Sequence, residues 1–305
     1  MRSRRRFDFG WLAVVLVVAL AAGALGFTAI YANAFGAGDK FERLVAKVER
    51  FIIGPPPADR TAPPTVEITP PPTPSPTPRP TLVSHEPGVT PAPTPTPIPR
   101  VPVDVTIVDD PEAVFAHEIR KDWCAPAGVQ MVLAVLGRGD TSERFQREIA
   151  GRIREWETYR DSHNYNWGPA AMSLALKAYG APGYEVRAYK GRNDALRDAA
   201  VAIETTGSPA ILLAWKGAHT WVMTGYRADA DPAVFHDAKI LGTYVLDPWY
   251  PWVSSLWGPS DPPGTFQDQK EMERNFLKWK RPEGKYPDRD GKYIVLVPTL
   301  PAPTR

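Results

Sequence analysis

The stretch RKDWCAPAGVQMVL, residues 120–133, holds Cys124, the only cysteine in a chain of 305 residues. Ala125 and Pro126 follow it, and Ala127, Val129, Val132 and Leu136 then recur at helical spacing, which predicts a helix starting at Cys124. Pro126 falls in the first turn, where its missing N–H costs nothing and its fixed φ suits the helix. The thiol is thereby placed at a helix N-terminus, where unpaired N–H groups and the helix dipole are expected to favour the thiolate and lower its pKa. The bland alternative is a small buried hydrophobe, the usual state of a free cysteine.

The start of the chain weighs against that alternative. Residues 1–10, MRSRRRFDFG, carry four arginines, and residues 11–31 carry no charge over a length that spans a bilayer as a helix. Trp11 and Tyr31 stand where interfacial aromatics would. The pattern predicts a transmembrane signal anchor with its N-terminus inside and the remainder extracellular. The rival reading is secretion after cleavage near Ala34, since Ala32–Asn33–Ala34 has small residues at the right spacing, although the apolar run is long for a signal peptide. Either reading exports the rest of the chain, where structural cysteines come in pairs and a lone thiol calls for another explanation.

Residues 37–53 read as an amphipathic juxtamembrane helix, with Phe41, Leu44, Val45, Val48, Phe51 and Ile52 on one side. Residues 54–102 form a Pro/Thr-rich tract holding about half of the 35 prolines. It lacks the apolar residues needed to offset its ordering entropy, and is expected to be a disordered, extended spacer holding a domain away from a membrane, through or beyond a cell wall. Residues 103–305 are expected to be one domain. Its helical patterns come first, at 124–136, at 140–159 with Asp140 or Thr141 as cap, at 167–180 and at 193–207. The strand patterns PAILLAW, HTWVMTGY, ILGTYVLD and KYIVLVP follow. This order predicts an α+β fold. A net charge of +2 gives no pull toward nucleic acid. One cysteine without a close histidine pair leaves no zinc spacing, and no glycine loop cradles phosphate, so neither metal nor cofactor is expected.

A nucleophilic cysteine needs a base, and the base needs an orienter. Of the five histidines, His219 opens the strand HTWVMTGY just after the turn WKGA, and Asp247 ends the strand TYVLD. If those strands are neighbours, the carboxylate can lie beside the imidazole and fix its tautomer. Taken singly, His219 is equally a hydrogen-bonded surface histidine and Asp247 a strand-ending turn residue.

Together DWCAPAGVQMVL, GAHTWVMTGY and VLDPWYP resemble the papain-like cysteine peptidases, in particular the group related to bacteriocin-leader (double-glycine) peptidases found in exported bacterial proteins. The resemblance covers about residues 112–300. It implies a helical lobe packed on an antiparallel β-sheet lobe, with Cys124 as nucleophile, His219 as base, Asp247 as orienter and a peptide or protein as substrate. One position departs from the family pattern, which commonly has a glutamine six residues before the cysteine as oxyanion donor. Here Glu118 stands there, and an ionised glutamate has no donor to offer. Three readings follow: Glu118 is protonated by burial, His117 or Lys121 substitutes beside the Cys124 N–H, or the hole is poor and the protein is a weak or inactive relative. Trp123 and Trp249 are expected to line the cleft, with Trp249 shielding the His–Asp pair. The function implied is an extracellular, membrane-anchored cysteine peptidase. The alternative is a catalytically weak or inactive papain-like surface-binding module.

Overall fold

The strand patterns carry apolar residues at both odd and even positions, and such a sheet needs cover on both faces. The computed structural model describes residues 22–28, 41, 44, 48, 60–69, 98–162, 166–280 and 283–302. Strands β1 (Thr65–Glu67), β2 (Val103–Thr106), β3 (Tyr184–Tyr189), β4 (Ala210–Ala214), β5 (His219–Ala228), β6 (Ile240–Leu246), β9 (Thr265–Asp268) and β10 (Tyr293–Pro298) form one eight-stranded sheet. Its order is β1-β3-β10-β4-β5-β6-β9, with β2 added to β5. The short pair β7 (Val253–Ser254) and β8 (Gly258–Pro259) lies apart from it. All pairings in the large sheet are antiparallel except β1 with β3.

β5 is the spine of this sheet. Its first half pairs with β4 and its second half with β2, while β6 runs along the other side. Six helices cover the faces: α1 (Pro111–Val114), α2 (Cys124–Val135), α3 (Glu143–Gly151), α4 (Pro169–Ala178), α5 (Arg192–Thr206) and α6 (Gln269–Asn275). Ile211, Leu213, Val222, Ile294 and Leu296 pack with Val129, Leu133, Met172 and Leu176 of α2 and α4. Their strand neighbours Leu212, Trp221, Met223, Val295 and Val297 pack with Leu196, Ile203 and Met272 of α5 and α6. The period-2 alternation thus sorts successive residues into two cores. The α+β class stands. Helices flank the sheet on both faces, however, and β3 lies between α4 and α5 within the half read from sequence as helical. The cap of α3 is Ser142, whose hydroxyl accepts from Phe145 N at 3.2 Å. Asp140 supports it by accepting from the Ser142 N–H and hydroxyl.

The tract expected as disordered over 54–102 departs from that expectation at residues 60–69. Here Thr65–Glu67 adds to the sheet edge as β1, and the Arg60 guanidinium donates to the carbonyls of Arg154 and Glu157. Buried Arg289 donates to Thr65 Oγ1 at 3.2 Å and pairs with buried Asp161 at 2.6 Å. Asp161 in turn accepts from Ala170 N and Ala171 N at the start of α4. A proline-rich composition argues against a self-sufficient fold, but an existing sheet edge and a buried arginine supply the partners that the segment itself lacks.

The chain divides into two compact units, Met1–Pro55 and Pro56–Arg305. In the first, residues 22–28, Phe41, Leu44 and Val48 are helical. Most of the apolar stretch 11–31 and of the amphipathic segment 37–53 lies outside the described residues, and no helix among those described is long and apolar enough to cross a membrane.

The contact that sets the register of α2 on the sheet is at Gly128. A Cβ there would run into the Thr220 side chain, with Cγ2 nearest, so glycine lets the helix lie directly on β5. Glycine to alanine inside a helix ordinarily stabilises by about 0.5–1 kcal/mol. Here overpacking reverses the sign, and Gly128→Ala is expected to cost about 1–3 kcal/mol in chemical denaturation. Thr220→Ser removes the obstructing methyl, so it should lower stability in the wild-type background and raise it in Gly128→Ala. Additive effects of the two substitutions would show that the contact does not govern the packing.

Candidate active site

α2 begins at Cys124, with Trp123 as its cap residue. Because Gly128 seats the helix on Thr220, the first turn of α2 meets the first residues of β5. The half-buried Cys124 has its Sγ 4.0 Å from the Ala218 carbonyl oxygen, and the Thr220 hydroxyl and N–H lie beside the thiol.

His219, the first residue of β5, is buried, and its Nε2 lies 2.6 Å from Asp247 Oδ1. Asp247 directly follows β6, the antiparallel neighbour of β5. With Nε2 engaged, Nδ1 is the ring nitrogen left to exchange a proton with a group in the cleft. Asp247 also accepts from Trp249 N at 2.9 Å and from the Ser260 hydroxyl at 2.8 Å. Burial alone would raise this carboxyl, but His219 and these hydrogen bonds outweigh burial and hold it below its ordinary value.

The ring covering the imidazole is Trp215, stacked on it with centroids 3.9 Å apart and planes 17° from parallel. Its indole N–H donates to Asn275 Oδ1 at 3.0 Å. Trp249 meets His219 edge-on at 6.2 Å, a lesser share of the shielding expected of it. The stack depends on an unusual turn: Trp215 and Lys216 have φ of +50° and +62°, followed by Gly217 at +86°. Non-glycine residues in that region cost on the order of 1–3 kcal/mol each and need surrounding structure to hold them. Lys280 N donates to Lys216 O at 3.0 Å, and a Cβ on Gly217 would strike the Trp279 ring.

Cys124, Trp123, His219 and Trp249 all border one cleft of about 370 Å³, together with Lys121, Trp167, Trp215 and Trp279. Among the described residues, no group of three or more His, Cys, Asp or Glu side chains is arranged to hold a metal ion.

The thiol differs from its expectation. Burial first, and then the Glu118 carboxyl, push Cys124 above its ordinary value, outweighing the hydrogen bonds from Thr220. Glu118 is fully buried, and neither carboxyl oxygen has a hydrogen-bond partner among the described residues. Its pKa is pushed up to about 9, by burial first and then by Asp247 and Asp122. The Nδ1 of His117 lies 2.7 Å from Tyr250 O, and its ring packs edge-on against Trp252. Lys121 borders the cleft with an exposed side chain. Sequence reasoning missed Ser260, Asn275 and the buried pair Gln130–Gln146. Nothing in their local sequence marks them, since each acts on an element distant along the chain.

The depressed Asp247 carboxyl makes a pH prediction. A group whose folded pKa lies below its unfolded value contributes stability that is present above the unfolded value and lost as the pH falls through the folded one. Asp247→Asn is expected to cost about 2–4 kcal/mol at pH 7, because it leaves buried His219 without its carboxylate. The gap to wild type should narrow as the pH falls below Asp247's ordinary value of 3.8. Chemical denaturation at pH 7 and near pH 3 measures both.

The model of the Peptidase_C39-like family matches residues 107–280, more than half of the chain, from just after β2 to beyond α6. No curated protein and no solved structure matches the chain. On the family match, the chain belongs to the Peptidase_C39-like family of papain-like cysteine peptidases of the bacteriocin-processing type.

Proposed function

We propose that the protein is a cysteine peptidase using Cys124 as nucleophile, His219 as general base and acid, and Asp247 as orienter. The observation that carries this reading is the buried 2.6 Å contact between His219 and Asp247, beside a cleft that Cys124 also lines. The thiol proton has to leave sulfur for the attack. His219 Nδ1 takes that proton as sulfur bonds to the scissile carbonyl carbon. The proton then passes to the leaving amine as the C–N bond breaks, leaving a thioester. Water attacks the thioester with His219 again as base, the C–S bond breaks, and the thiol is restored. The substrate class is a peptide or protein bond. The charge pattern of residues 1–31 supports a membrane-anchored, extracellular placement, with secretion after cleavage near Ala34 as the other form of export.

A second reading has one specific observation in its favour. A thiol pushed upward beside a carboxyl suits a non-catalytic binding module that keeps the peptidase cleft. Iodoacetamide labelling of the intact protein at pH 7 separates the two. The catalytic reading predicts labelling that is absent in Cys124→Ala and slower by about 10²-fold in His219→Ala, in the range expected for losing a general base. Equal rates with and without His219 would favour the binding module.

A further inference from the structure

The imidazole of His219 is the end of a stack of three rings. Trp215 lies flat on it, with centroids 3.9 Å apart and planes 17° from parallel. Trp257 lies on Trp215 at 5.7 Å, 4° from parallel. Trp249 meets both inner rings edge-on, at 6.2 Å from His219 and 5.8 Å from Trp215. Asp247 takes one edge of the imidazole, at Nε2. A single hydrogen bond leaves a ring free to swing about it, whereas a stacked face fixes its plane.

Trp215 is held in this stack from a distance. Its indole N–H donates to Asn275 Oδ1 at 3.0 Å, at the last residue of α6, and both side chains are buried. Asn275 is itself oriented, with Nδ2 3.2 Å from Glu271 O and 3.3 Å from Glu271 Oε2. The backbone is turned to suit, with φ of +50° at Trp215 and +62° at Lys216. Strain of that kind persists only where surrounding structure imposes it, and it collects at working sites. Covering the imidazole would need only an aliphatic side chain. An indole adds a negatively polarised π face, which attracts a cation held within about 6 Å, and most strongly where water is excluded. The imidazole is uncharged until the thiol gives it a proton, so this attraction strengthens as the reaction proceeds.

We propose that Trp215, aimed by Asn275 from α6, is a positioning residue of the peptidase. Its ring fixes the plane of His219 and keeps Nδ1 available to the cleft. Its π face stabilises the imidazolium that forms as the Cys124 thiol passes its proton to Nδ1 and sulfur bonds to the carbonyl carbon. This role rests on the peptidase reading. It gives α6 a part in the chemistry although Asn275 lines a different recess, together with Asp247 and Ser260.

The test is iodoacetamide labelling of Cys124 on the intact protein at pH 7, run as a double-mutant cycle. In that reaction sulfur displaces iodide and its proton passes to His219, so the imidazolium forms without a bound peptide. Trp215→Leu should label about 10-fold more slowly than wild type, whereas Trp215→Phe, which keeps a π face, should stay within about 3-fold. In the His219→Ala background Trp215→Leu should make no further difference, because the ring it acts through is gone. Asn275→Leu should slow labelling by about 3-fold or more, again only when His219 is present. Unfolding would expose the thiol and speed labelling, the opposite sign. Should Trp215→Leu unfold, Asn275→Leu, which leaves all three stacked rings in place, decides by the same comparison. The proposal is overturned by a slowing that is the same with and without His219, by a folded Trp215→Leu that labels at the wild-type rate or faster while His219→Ala is slow, or by a Trp215→Phe as slow as Trp215→Leu. Equal labelling of wild type and His219→Ala would instead remove the peptidase reading, and this role with it.

Discussion

The close approach of α2 to β5 at Gly128 and Thr220 is the contact on which the rest of the site depends. Cys124 lies one helical turn before Gly128, and His219 immediately precedes Thr220. Pressing those two backbones together brings the start of a helix onto the start of a strand, the two places where a thiol and an imidazole can face one cleft. The antiparallel pairing of β5 with β6 then returns Asp247 to the same end of the sheet. The strained turn at Trp215–Gly217 completes the arrangement by laying an indole over the imidazole.

Three acids crowd one end of this sheet, and their environments push them apart. Asp247 has an imidazole, a backbone N–H and a hydroxyl as partners, and stays ionised. Glu118 has none among the described residues, and burial pushes its pKa up to about 9. Burial pushes Cys124 upward. Separation of neighbouring pKa values by environment is how acid and base roles are divided in one site.

Much of the site is legible in the sequence because its residues sit at element ends that carry their own signals. Pro126 marks the start of α2, the turn WKGA marks the entry to β5, and Pro248 marks the exit from β6. The docking of β1 is not legible, because a proline-rich segment becomes a strand only when β3 and Arg289, more than 100 residues away, supply its partners. Trp215 as the stacked ring is hidden for a related reason, since positive φ at a tryptophan follows from tertiary restraint rather than local preference. The state of the thiol is hidden most deeply. The local rule of a helix N-terminus points down, whereas burial, which depends on elements distant along the chain, points up.

The central claim is that Cys124 is a nucleophile that forms an acyl bond with its substrate. The most direct measurement is intact-protein and peptide mass spectrometry after brief mixing of the protein with p-nitrophenyl acetate, alongside Cys124→Ala. The account predicts about one acetyl group per chain, carried on Cys124 as a thioester and absent from the alanine variant. Acetylation confined to lysines, or equal in the two proteins, would contradict it.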